Sequence, residues 1–327
     1  MIAMERFFQQ EAWDRLVSQL ERLPHALLLH GPQGVGKLHL AERFAQLLLC
    51  EARGHGTTPC GRCDGCRWFL AGQHPDVRFI EPETMARQVA LEDGESLEKP
   101  KGKPSAEIRI EQIRGLADFL YIGSHRGGRR VAIVHPAEAM NAHASNALLK
   151  SLEEPPAGAV FLLVSHRPAR LLPTIRSRCI PAPVPLPGAG VAQAWLQAQG
   201  VAEVARRLAF AGGAPLRALE DASSERGARA DEILRAIATR DVSALRSPKD
   251  RDGLEILAEA LQKCAFDGAF GSFGLSPKYT SGMASERSES RDWLAYARKM
   301  GRDRALARHP VNAGLHAAEM LAGLPVK

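Results

Sequence analysis

His25-Ala26-Leu27-Leu28-Leu29-His30-Gly31-Pro32-Gln33-Gly34-Val35-Gly36-Lys37 decides how the first half of this chain is read. A short apolar run, too brief for a helix, passes through a glycine-rich turn into the helical pattern from Lys37 to Leu49. Strand, glycine loop and helix in that order make a phosphate-binding loop. Glycines let the backbone N–H groups converge, and the helix start adds a partial positive charge. Gly31, Gly34, Gly36 and Lys37 are the candidate phosphate contacts. The residue after the lysine normally gives a hydroxyl to magnesium, and here it is Leu38.

Outward from that loop, apolar runs alternate with helical patterns. Val77–Ile80, Arg130–Val134 and Ala159–Val164 read as strands two to four, and Arg178-Cys179-Ile180 as the start of a fifth. Ile110, Ile113, Leu116, Ala117 and Leu120 share one helical face, and Asn146–Pro156 reads as a helix closed by two prolines. Alternation of this kind predicts an α/β domain whose parallel sheet is covered on both faces. The third strand ends in His135 and Pro136, where a magnesium-dependent ATPase needs acids. Glu138 lies nearby and reads as an acid at the start of the next helix. Two magnesium contributions are therefore missing independently, which predicts weak or absent ATP binding and no hydrolysis.

Cys50, Cys60, Cys63 and Cys66 follow the loop helix with two-residue gaps between the last three. Four thiolates so spaced can close around one tetrahedral Zn²⁺ and leave no open position. Scattered buried thiols or disulfides are the other readings; the spacing disfavours the first and a cytoplasmic setting the second. His55 and His74 read as surface residues, and Cys179 and Cys264 as packing residues. Ser165, after the fourth strand, reads as a polar group able to sense a phosphate, and Arg176 and Arg178 flank Ser177 before the fifth.

Prolines at 181, 183, 185 and 187 read as a boundary, because a proline series should end a ladder. Everything beyond reads as helices with a loop at 267–290, and a second loop is expected earlier in the chain, at 91–105. The expected domains are a phosphate-loop sheet domain over 1–180 with the cysteine module at 50–66, a small helical lid over 181–222 and an all-helical collar over 223–327. The 327 residues are 45% hydrophobic and 24% charged, which excludes wholesale disorder. No run of eighteen apolar residues and no apolar leader is present, so a cytoplasmic protein is expected. A net charge of +6 allows a nucleic-acid partner without requiring one.

Together these residues resemble the bacterial clamp-loader subunits of the AAA+ class, over about residues 1–220. Asn146–Pro156 resembles the segment after the second nucleotide motif, Ser177-Arg178-Cys179 the Ser-Arg-Cys signature, and the four cysteines the inserted zinc module. Gly212-Gly213-Ala214-Pro215-Leu216-Arg217 resembles the motif whose arginine senses nucleotide in active relatives. The resemblance implies a subunit of a DNA polymerase III clamp loader that opens and places the sliding clamp on primed DNA. Its partners would be gamma/tau and delta subunits, and Arg178 would be an arginine finger offered in trans. Leu38, His135 and Pro136 depart from the catalytic gamma/tau type and favour a non-hydrolysing one. The alternatives are an active gamma/tau-like ATPase and a zinc-bearing DNA-binding module.

Overall fold

The apolar runs of the first half become five strands, β1 (Ala26–His30), β2 (Val77–Ile80), β3 (Arg130–Val134), β4 (Ala159–Ser165) and β5 (Ile180–Pro183). They form one parallel sheet in the order β2-β3-β4-β1-β5. Every residue of β3 and β4 is buried, as both faces of a central parallel strand should be. The computed structural model describes residues 8–52, 54, 56–85, 104–121, 128–239, 245, 250–280, 289–307, 309 and 311–325. The loop expected at 91–105 lies almost wholly outside them, as does His55.

Helices α1 (Gln10–Val17), α2 (Lys37–Leu48), α3 (Asp64–Leu70), α4 (Ile110–Tyr121), α5 (Ala142–Glu153) and α6 (Pro173–Arg176) accompany the sheet. Ile113, Leu116 and Leu120 of α4 and Leu148 and Leu152 of α5 share a core with Ala132, Phe161 and Leu163. The amphipathic stripe read from α4 is that contact. Helix α5 starts earlier than the sequence suggests, because Asn141 accepts the Ala144 N–H at 2.9 Å and caps it.

The fifth strand corrects the expectation about prolines. Pro181 and Pro183 stand within β5, opposite Leu28 and His30. Val184 donates its N–H to the His30 carbonyl at 2.8 Å, so even-numbered residues face β1 and the prolines take the outward positions. An outward position on an edge strand needs no N–H, and prolines there deny a further strand its partner. Arg178 and Cys179 precede the strand and are not part of it.

The chain divides into two compact units, 1–186 and 187–327. The second is helical throughout its described residues: α7 (Ala189–Ala198), α8 (Val204–Phe210), α9 (Pro215–Ser223), α10 (Glu225–Thr239), α11 (Arg251–Ser272), α12 (Ser290–Leu306) and α13 (Ala313–Ala322). Leu257, Leu261, Ala265, Trp293, Tyr296, Met300 and Met320 fill its core. Helix α11 runs through the first part of the loop expected at 267–290. Asp267 is buried in that helix and accepts N–H groups from Lys278, Tyr279 and Thr280, folding the following segment back onto it.

Candidate functional site

The order of the sheet reverses at β1, which lies between β4 and β5 although it comes first in the chain. Crevices at the carboxyl ends of strands on either side of such a reversal are where parallel sheets bind ligands. The loop Gly31–Gly36 stands there. A Cβ on Gly31 would fall 2.1 Å from the Val184 carbonyl oxygen, so this position admits no side chain. Gly36 opens α2 with a left-handed φ of 84°, which turns the loop inward at the helix start.

Lys37 is 2% exposed, and its Nζ donates to the Gly31 carbonyl at 2.8 Å and to the Pro32 carbonyl. The lysine thus closes on its own loop. Burial lowers its pKa to about 8, with the charge of Glu138 pulling the other way. Gln9, which sequence reasoning does not single out, is buried beside the loop. Its Nε2 donates to Val35 O at 2.7 Å and to Pro185 O at 3.0 Å, tying the loop to the segment that leaves the sheet.

At the end of β3 the expected acids are replaced by two imidazoles and a displaced carboxylate. His135 is buried and packs edge-on against His166, which follows β4, with ring centres 5.3 Å apart. Glu138 does not act at a helix start as its position suggests. It lies in a single 3-10 turn (Ala137–Ala139), and its Oε1 accepts the His166 N–H at 2.9 Å. Ser165 ends β4 fully buried, its Oγ accepting the Arg167 N–H at 3.2 Å. Burial, then the charge on Lys37, depresses His166 to about 4.

The four cysteines come together. One sulfur from each lies within 4.8 Å of all the others, so the set could hold a metal ion. Cys63 caps α3, accepting the Cys66 N–H at 3.4 Å, and Cys60 accepts the Cys63 N–H at 3.3 Å. Backbone N–H groups of Arg62 and Cys63 draw the Cys60 thiol down to about 6. Four thiolates, N–H donors to the sulfurs and a helix start suit a closed tetrahedral site. His74 corrects the surface reading. It is buried, accepts the Asp76 N–H at Nδ1 and packs against Trp68 of α3.

Arg178 is half-exposed, two residues beyond the end of α6. Its guanidinium pairs with Glu153 of α5 at 2.7 Å and donates to the Thr174 carbonyl at 3.0 Å.

The family described as "DNA polymerase III, delta subunit" matches residues 8–185, more than half of the chain and nearly all of the sheet unit. This chain belongs to that family. The DNA polymerase III subunit delta' of Pseudomonas aeruginosa is 44% identical over 215 residues, 64% of this chain and 59% of its own length. The delta' subunit of Yersinia pestis is 40% identical over 175 residues, 54% of this chain and 46% of its own. The tau subunit of Salmonella typhimurium is 36% identical over 161 residues, 49% of this chain and 22% of its own. The chain thus matches about half the length of its delta' relatives. Among the described residues no helix is long and apolar enough to cross a membrane.

In this member of the delta family, Arg217 lies outside the matched region, on α9 of the helical unit. Its guanidinium pairs with Glu259 of α11, a carboxylate only 2% exposed. Arg226, Lys263 and Arg304 bind the same carboxylate at 2.7, 2.5 and 3.0 Å. Cys179 and Cys264 are buried thiols pushed up to about 12 by burial, as packing residues should be.

Proposed function

We propose that this chain is the delta-prime subunit of a bacterial DNA polymerase III clamp loader, a cytoplasmic part that binds ATP weakly or not at all. It would assemble with gamma/tau and delta subunits, help them open the sliding clamp and place it on primed DNA, and complete a neighbour's ATP site with Arg178. The observation that carries this reading is the altered phosphate site. The loop keeps its glycines and lysine, while Leu38, His135 and Pro136 stand where magnesium chemistry needs a hydroxyl and two acids, and Lys37 is engaged by its own loop. Such a site can keep its shape without turning over nucleotide. Because β5 keeps 181–183 in the sheet unit, the helical lid expected over 181–222 would begin only at 187, and the collar over 223–327 would hold the subunits together.

Arg178 suits the trans role because Glu153 and Thr174 fix its guanidinium in the short turn between α6 and β5. In phosphoryl transfer an arginine so supplied is worth on the order of 10³–10⁵ in rate. The test is clamp- and DNA-stimulated ATPase of the reconstituted complex. Arg178→Ala should lower it sharply with assembly intact. Arg178→Lys should rescue it poorly, because a point charge lacks the planar fork. Arg217→Ala should leave turnover nearly unchanged, since its site in cis lacks magnesium ligands. Equal effects from both alanines would show that the arginines are wrongly assigned. Robust magnesium-dependent hydrolysis by the isolated chain would favour the gamma/tau-like reading.

Zn²⁺ held by Cys50, Cys60, Cys63 and Cys66 would be structural, tying the end of α2 to α3, since four thiolates leave no vacancy for water. Elemental analysis of protein purified without chelators should give one zinc per chain. Cys63→Ser should lower the melting temperature of the sheet unit, and a zinc-free preparation of equal stability would count against the assignment.

A further inference from the structure

We propose that Glu138 is a built-in anion that keeps polyphosphates out of the phosphate loop, so that this site excludes nucleotide actively as well as lacking magnesium ligands. The inference rests on the non-hydrolysing reading above and names the residue that enforces it.

The topology places Glu138 where such an anion acts. β3, β4 and β1 are neighbours in that order, with Val134 opposite Leu163 and His30 opposite Ser165. Glu138 follows β3, yet its Oε1 is held by the His166 N–H at the end of β4, so the side chain leans across the sheet towards the loop that follows β1. The second oxygen, Oε2, is buried without a hydrogen-bond partner. Its charge is felt at Lys37 and at His166. Among the described residues Lys37 makes no ion pair, and two of its three N–H donors are taken by Gly31 and Pro32. The loop therefore offers a polyphosphate one partly engaged ammonium near a carboxylate whose second oxygen has no hydrogen-bond partner.

A metal would reverse this logic by neutralising Glu138. His135, His166 and Glu138 do not form a site for one. Their ligating atoms are not gathered, since among the described residues the four cysteines alone bring three or more such atoms within 4.8 Å of one another. His135 Nδ1 instead faces Glu81 at 3.7 Å, which adds a second acid to the same end of the sheet. Repulsion between a carboxylate and a phosphate at partly buried sites, where the effective dielectric is far below that of water, shifts affinity by roughly tenfold or more.

The test is calorimetric titration of the full chain with pyrophosphate and with ADP, first in EDTA and then with Mg²⁺. Glu138→Gln keeps an oxygen to accept the His166 N–H and removes the charge. It should bind both probes in EDTA at least about tenfold more tightly than the unaltered chain, and Lys37→Ala added to it should abolish the gain. Glu138→Ala, checked by thermal melting, gives a second reading should the glutamine variant fold poorly, and the same gain is expected. An unchanged affinity, or no detectable binding by either variant, overturns the proposal. So does Mg²⁺-dependent binding that Glu138→Gln weakens, because Glu138 would then be a metal ligand. Tight Mg²⁺-dependent binding and hydrolysis by the unaltered chain would instead overturn the non-hydrolysing reading itself.

Discussion

Among the charged side chains that each unit buries, Glu259 of the helical unit and Lys37 of the sheet unit are treated in opposite ways. In the helical unit Glu259, 2% exposed, is met by Arg217, Arg226, Lys263 and Arg304, brought from four different helices. In the sheet unit Lys37, equally exposed, donates hydrogen bonds to carbonyl oxygens of its own loop and has no carboxylate in direct contact. The consequences appear in both groups. Burial alone would raise Glu259, but Lys263, Arg217 and Arg304 overcome it and hold the carboxyl at about 2. Burial wins at Lys37 and lowers it to about 8. One arrangement is satisfied in the free chain. The other is a cation kept in a binding loop without the anion such loops are built for. A charge with structural partners contributes to folding, whereas a charge inherited from a binding site costs stability until something binds.

The largest effect that separates the two should come from removing each charge. Glu259→Ala leaves cations of α9, α10, α11 and α12 facing one another with no carboxylate, and breaking a buried pair in this way costs about 3–5 kcal/mol. Lys37→Met removes a buried ammonium that makes no direct ion pair and feels Glu138 only through its charge. Relief of that burial offsets the loss of two hydrogen bonds to loop carbonyls, so stability should change by less than about 1 kcal/mol. Urea denaturation followed by circular dichroism measures both. Comparable losses from the two variants would mean that Lys37 is as structural as Glu259, and the contrast would fail.

The same contrast marks what can be read from the chain and what cannot. The strands are legible because Ala26–His30, Arg130–Val134 and Ala159–Ser165 are apolar runs bounded by turn residues and buried on both faces. The cysteine cluster is legible because its ligands are local. Helix α1 is not, because it is eight residues long and shows only Trp13 and Leu16 as large apolar anchors. Helix α11 reads as shorter than it is because Gly268 and Gly271 look like loop residues, whereas Gly268 packs against Trp293 of α12. Glu138 is recognisable only once β4 delivers the His166 N–H, 28 residues away in sequence. Arg217 is legible as a motif residue, but its partner stands 42 residues further on. Pairings of that range are fixed by packing and leave no spacing to read.

A smaller effect sharpens the comparison through pH. Glu259 has a folded pKa near 2 against an ordinary value of 4.5. A depressed carboxyl stabilises the folded state fully above its unfolded pKa, and that contribution is lost as pH falls through the folded pKa. In full it amounts to about 3 kcal/mol, and about 2 kcal/mol of it should be gone by pH 3. Lys37 is lowered as well, but for a lysine the sign is opposite. Its burial cost is present at neutral pH and is relieved as pH rises from about 8 towards its ordinary 10.5. The helical unit should therefore weaken in acid, while the sheet unit should gain slightly in mild base. Urea midpoints at a series of pH values, for the unaltered chain and for Glu259→Gln, separate the two contributions. The glutamine variant should be less stable at pH 7 and should lose less than the unaltered chain between pH 5 and pH 3. If both lose stability in parallel over that interval, the acid sensitivity belongs to other carboxylates and Glu259 is not the group that holds the four helices together.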